Sequence, residues 1–80
     1  MKLKLWDVQR KEYYTDYKDN IIIYEDPEEI KNDLISFHSV DNGGLEQKEF
    51  NELTFNGMLM LFDWEVHNAK TNKLILIKTK

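Results

Sequence analysis

Polar and apolar positions alternate over residues 2–8. Lys2, Lys4 and Trp6 fall on one side, and Leu3, Leu5 and Asp7 on the other. A period of two is the signature of a strand, with successive side chains on opposite faces of a sheet. Gln9, Arg10 and Lys11 read as a polar turn, and the tyrosine-rich residues 12–17 as a second strand. Lys18-Asp19-Asn20 reads as another turn. Residues 20–24 hold Ile21, Ile22 and Ile23, whose branched Cβ atoms are stiff at χ1 and suit a pleated sheet. The three segments predict an antiparallel meander, or two strands with an irregular link.

The period changes at Asp26. Aspartate is a favoured N-cap, Pro27 takes the first helical position, and Glu29 stands at the capping-box position. Glu28 and Glu29 lie in the first turn, where the helix dipole favours negative charge. Ile30, Leu34, Phe37 and Val40 recur at helical spacing, with Ile35 and His38 at the edges of the stripe. The spacing predicts a helix over 27–40, stopped by Asp41-Asn42-Gly43-Gly44.

Residues 47–63 again read as helical, with a break. Phe50, Leu53 and Gly57 share a face, and Thr54 can cap a second short helix carrying Met58, Leu61 and Phe62. Gly57 costs such a helix about 1 kcal/mol relative to alanine. Residues 64–69 alternate once more, Lys70-Thr71-Asn72 is a turn, and residues 73–78 are apolar on both faces, as in a central or covered strand. The order strands, helices, strands predicts one α+β domain over 1–80. Its antiparallel sheet is built of N-terminal and C-terminal strands, with two helices packed on one face. Strand order stays open, as does whether the terminal strands meet.

Composition adds little beyond confirming a folded chain. Apolar residues make up 41% and ten residues are aromatic, a content that disordered chains lack. There is no cysteine, which removes disulfides, thiolate nucleophiles and cysteine-based zinc sites and favours a cytoplasmic setting. The first residues are charged too early for the apolar core of a signal peptide. The longest apolar run, Met58 to Phe62, falls far short of the ~20 residues that span a bilayer, so no membrane association is expected.

Charge changes the picture more. Residues 12–65 hold fourteen of the fifteen acidic side chains and three basic ones, Lys18, Lys31 and Lys48, a net of −11. Residues 1–11 come to +3 and residues 66–80 to +4, so a total of −4 hides an acidic middle between basic ends. Such patterning bears on partners and encounter rates rather than on fold.

No constellation of residues marks a reaction, so no enzymatic activity and no cofactor are expected. Gly43-Gly44 follow a helix instead of preceding one, which suits a helix stop better than a phosphate loop. His38, Asp41 and His67 are of metal-ligating type, but their spacing supports no site. His38 is expected at a helix edge, where a helix C-terminus favours its charged form. His67 is expected to face solvent. Paired carboxylates acting as acid and base would need a pocket to separate their pKa values. A deep pocket lined by either histidine with carboxylates would reopen the question of a small enzyme.

Tyr13, Tyr14, Tyr17 and Tyr24 with Trp6 invite comparison with base-stacking platforms. Those require a basic groove, and here the neighbours are Glu12, Asp16, Asp19, Glu25 and Asp26, so direct nucleic-acid binding is not expected. Part of the group suits the inner face of a sheet; Tyr13, Tyr14 and Tyr17 suit anchors in a protein interface. The carboxylates Asp16, Asp19, Glu28, Glu29, Asp33, Glu46, Glu49 and Glu52 are the expected contacts to a partner with a basic surface.

The run from Asp26-Pro27-Glu28-Glu29-Ile30 to Phe37-His38-Ser39-Val40-Asp41, followed by an acidic stretch, an apolar helix and Phe62-Asp63-Trp64-Glu65-Val66, resembles small proteins of phages and prophages of low-GC Gram-positive bacteria. In length, acidity and lack of motif the chain is similar in type to phage inhibitors of bacterial defence, including anti-CRISPR proteins. The resemblance implies a protein that binds and redirects a host protein, presenting carboxylates as phosphates are presented. The alternative expectation is a structural, self-assembling phage component whose basic ends pair with the acidic middles of neighbouring copies.

Overall fold

The computed structural model describes residues 1–75. Three strands, β1 (Leu3–Asp7), β2 (Glu12–Tyr13) and β3 (Trp64–Asn68), form an antiparallel sheet in the order β2-β1-β3. The N-terminal strand is therefore central, and it pairs directly with the C-terminal one, Leu5 opposite Val66 and Asp7 opposite Trp64. Between them come α1 (Pro27–Phe37), a 3-10 turn (Val40–Asn42), α2 (Gln47–Asn51) and α3 (Phe55–Leu61). The fold is α+β, with three helices where two were expected.

The alternation along β1 decides the layering. Leu3 and Leu5 are buried, and so is Val66 on the same face of β3. They share one core with Tyr24, with Ile30 and Leu34 of α1, Phe50 of α2, and Phe55, Met58 and Leu59 of α3. Burying each such side chain contributes about 1.5–3 kcal/mol, which is how short helices that are marginal alone are held. The other face carries Lys4, Trp6, Tyr13, Glu65 and His67.

Helix α1 starts as expected. The Asp26 carboxylate accepts from the Glu29 backbone N–H at 3.1 Å, and the Glu29 carboxylate accepts from the Asp26 N–H at 3.2 Å and the Glu25 N–H at 2.6 Å. It stops at Phe37, three residues earlier than the sequence implied. The His38 ring docks against Phe62 and Trp64, Ser39 turns extended, and Leu45 N–H donates to the His38 carbonyl at 2.7 Å. Val40, expected in the stripe, is 58% exposed. The break in the second helical stretch falls at Thr54, whose hydroxyl accepts from Gly57 N–H at 2.9 Å. Of the residues that this short helix carries, Met58 and Leu59 are buried and Leu61 is exposed.

Residues 20–24 form no continuous strand. Thr15 bridges Ile21, while Leu3 bridges Tyr24, so the segment changes partner within four residues and no ladder develops. Strand 12–17 is likewise cut to two residues by that change. At the C-terminus, Leu74 bridges His67 and Ile75 N–H donates to the Val66 carbonyl. Residues 76–78 of the expected last strand lie outside the described residues.

Candidate functional site

Two surfaces carry aromatic and acidic groups, an exposed tyrosine on the first and half-buried rings on the second. The first is the tip of the 15–21 hairpin. Asp16 N–H donates to the Asn20 carbonyl at 2.9 Å, and the Asp16 carboxylate accepts from Lys18 N–H at 2.8 Å and Asn20 N–H at 3.0 Å. Those backbone bonds, Asn20 first, hold the Asp16 carboxyl below its ordinary pKa. The turn is thereby fixed, and it carries Tyr17 at 91% exposure, with the Lys18 ammonium 5.5 Å from its ring. Asp19 follows with φ 65°, a left-handed conformation that aspartate tolerates.

The expected contact residues divide into two groups. Four of the eight carboxylates are already used inside the fold. Asp16 closes the hairpin tip, Glu29 caps α1, and Glu49 accepts from Glu46 N–H at 3.1 Å at the start of α2. Asp33 accepts from the hydroxyl of buried Tyr24 at 2.7 Å, so it does not stand clear of the apolar stripe as expected. Burial foremost, then the Asp33 carboxylate, raises the Tyr24 pKa. Glu46 faces Lys48 at 3.8 Å, both exposed. Asp19, Glu28 and Glu52 are exposed, and their carboxylates have no bonding partner among the described residues.

The tyrosines do not act together either. Tyr17 projects into solvent. Tyr14 packs on Phe37, with ring centroids 4.7 Å apart, and meets Trp64 edge-on at 6.2 Å. Tyr13 lies on the opposite face of the sheet, because adjacent strand residues alternate.

The second surface is a cleft of about 490 Å3 beside the β1–β2 turn. Its walls include Tyr14, Phe37, Phe62 and Trp64, and its rim carries Asp7, Arg10, Glu12 and Thr15. His38 also lines it, together with those carboxylates, which is the arrangement that would reopen the enzymatic reading. Its ring is committed elsewhere. The indole N–H of Trp64 donates to His38 Nε2 at 3.0 Å, and the imidazole lies flat on Phe62, 3.8 Å between centroids and 1° between planes. An indole can only donate, so Nε2 is unprotonated and the proton sits on Nδ1. Burial lowers the His38 pKa. The expectation of a charged His38 favoured by the helix terminus is overturned, because desolvation opposes the charge.

His67 is also placed differently from its expectation. Its side chain is 12% exposed; Nδ1 bonds the Tyr13 hydroxyl at 2.8 Å and Nε2 the Glu65 carboxylate at 2.9 Å. The Trp6 ring stacks on it at 5.6 Å, and Lys4 lies 4.0 Å above the Tyr13 ring while bonding Asn72. This polar and aromatic layer closes the sheet face away from the core. The two histidines thus serve opposite faces. No group of three His, Cys, Asp or Glu side chains among the described residues is arranged to hold a metal ion.

Sequence reasoning missed the Asp7, Glu12 and Arg10 rim. One signal was there: a polar turn near 9–11 between two strands brings Asp7 and Glu12, on either side of it, to the same end of a hairpin. The Trp64–His38 bond, across 26 positions, leaves no trace in local pattern. Among the described residues no helix is long and apolar enough to cross a membrane. No protein-family model, curated protein or solved structure matches the chain.

Proposed function

We propose that this chain is a non-enzymatic binding protein that engages a basic surface of another protein, with the hairpin tip as its anchor. The observation that carries this reading is Tyr17. A large aromatic ring at 91% exposure contributes nothing to the core, yet it stands on a turn whose backbone is bonded in place. With the backbone of the turn already ordered, less conformational freedom is lost when the ring docks, and tyrosine is among the residues that dominate interface energies. Asp19, Glu28 and Glu52 supply carboxylates that the fold does not use, within a segment of net charge −11. Opposed charge on the partner speeds encounter and makes binding sensitive to salt. In the phage setting that the sequence resembles, the partner is a bacterial host protein that binds nucleic acid or acts in defence, and the carboxylates occupy the place of phosphates.

Capture from a bacterial host lysate tests this. The wild-type chain is expected to retain a basic protein at low salt and release it at high salt. Tyr17→Ala and the pair Asp19→Lys with Glu28→Lys are expected to lose that protein while keeping the wild-type circular dichroism. Identical retention by all three proteins overturns the proposal.

A second reading, self-assembly, is favoured by the neighbouring exposed residues Met60 and Leu61 of α3, 79% and 55% exposed. Sedimentation across concentration separates it; a constant monomer mass rejects it.

A further inference from the structure

We propose that the cleft between the β1–β2 rim and the aromatic cluster receives a cationic side chain, arginine or lysine, of the partner protein. The inference rests on the proposed function for its occupant, but on the cleft alone for its chemistry.

The first observation is electrostatic. Asp7 and Glu12 are directly opposite each other across the β1–β2 pair, and both line the cleft. Like charges at opposed positions of an antiparallel pair destabilise it, so the hairpin carries a repulsion that a cation would relieve. The chain supplies that cation poorly. The Arg10 guanidinium comes no nearer to Asp7 than 3.9 Å at Nε and its side chain is 77% exposed, although the Arg10 backbone N–H donates to the same carboxylate at 3.0 Å. The Glu12 carboxylate has no bonding partner among the described residues. A strong acceptor is therefore left open at the rim.

The second observation is the wall. Tyr14, Phe37, Phe62 and Trp64 line the same space. Aromatic faces attract ammonium and guanidinium groups, and a guanidinium plane can also stack on a ring. Aromatic walls combined with an unpaired carboxylate recognise organic cations and disfavour anions. The third observation is continuity. Thr15 lines the cleft and also bridges Ile21 at the base of the tip that carries Tyr17. A protein seated on Tyr17 thus has the cleft beside it.

N-acetyl-arginine amide and N-acetyl-lysine amide serve as probes, each titrated while the indole N–H resonance of Trp64 is followed by NMR. Saturable movement with a Kd on the order of 1–10 mM is expected for at least one of them, which is a reasonable range for a single side chain. Glu12→Gln is expected to weaken binding about tenfold, because it removes the open charge while leaving the fold's own bonds intact. Arg10→Gln is expected to tighten binding, because it removes a competing cation. Asp41→Asn, an exposed acid outside the cleft, is expected to change nothing. Acetate and N-acetyl-aspartate amide are expected not to bind.

The proposal is overturned if neither cationic amide moves the resonance, if Glu12→Gln binds as well as wild type, or if Arg10→Gln weakens the cation. Saturable binding of the anions instead would also end it. Failure here, with partner capture by Tyr17 intact, removes the cleft alone. Probe binding without capture of any partner removes the proposed function and leaves the cleft.

Discussion

Protonation of His38 should cost this protein stability by an amount that can be isolated. In the folded chain Nε2 accepts from the Trp64 indole at 3.0 Å, and the ring lies on Phe62. Adding a proton to Nε2 turns two donors toward each other and breaks the bond. A hydrogen bond of this kind contributes about 1 kcal/mol, and an orphaned donor can cost about 1–3 kcal/mol when fully buried. His38 is only part-buried, so water relieves much of the second cost, and the total should stay near 1–2 kcal/mol. The direction follows from the lowered pKa of His38. The folded chain binds fewer protons at this site than the unfolded chain does. The contribution is therefore complete above the ordinary histidine value of about 6.5 and is lost as pH falls through the folded value.

His38→Gln is the appropriate reference. Its amide oxygen can still accept from the indole, but it does not titrate. The substitution forfeits the stack on Phe62, which lowers stability by an amount that does not depend on pH. Every other ionisable group is common to both proteins, so the difference between them reports His38. Urea unfolding followed by tryptophan fluorescence from about pH 7.5 to about pH 5 spans the range. The advantage of wild type over His38→Gln should shrink by about 1–2 kcal/mol toward acid, while the Trp64 indole resonance moves with the His38 titration. A difference that stays constant with pH, or an indole resonance that ignores the titration, would refute the argument.

The remaining predictions concern the fold that holds both surfaces. An ideal Cβ at Gly44 would sit 1.9 Å from the His38 carbonyl oxygen, a backbone atom that cannot rotate away. Gly44→Ala should therefore force the 38–45 closure apart and lower the denaturation midpoint far more than Gly43→Ala. At Gly43 there is open space, and only the φ of +80° resists, a cost of about 1 kcal/mol. Equal midpoints for the two variants would contradict the geometry. Leu34→Ala removes a side chain that is fully buried between α1 and the sheet-side core, which should cost about 2–5 kcal/mol. A chain of 80 residues is expected to have about 4–12 kcal/mol in all, so this variant should lose a large part of its stability, read as a lower urea midpoint with an unchanged slope.

The sequence by itself determined whatever depends on neighbours along the chain. Alternation set the faces of β1, because side chains two apart must share a side. Asp26, Pro27 and Glu29 set the start of α1, because capping bonds span only three residues. Thr54 set the break between α2 and α3 for the same reason. The α+β class followed from the order of these elements. The tertiary structure decided what depends on distant partners. The docking of His38 on Phe62 and Trp64 ended α1 three residues early. The switch of residues 21–24 from one partner to another dissolved an expected strand. Half of the carboxylates read as contacts turned out to serve the fold, since a capping bond or the Tyr24 hydroxyl competes with solvent only once the backbone is in place. The cleft belongs to the same class of fact. The Asp7–Glu12 opposition follows from a local turn, but the rings that line the same space from residues 37, 62 and 64 reach it only after the chain has closed on itself.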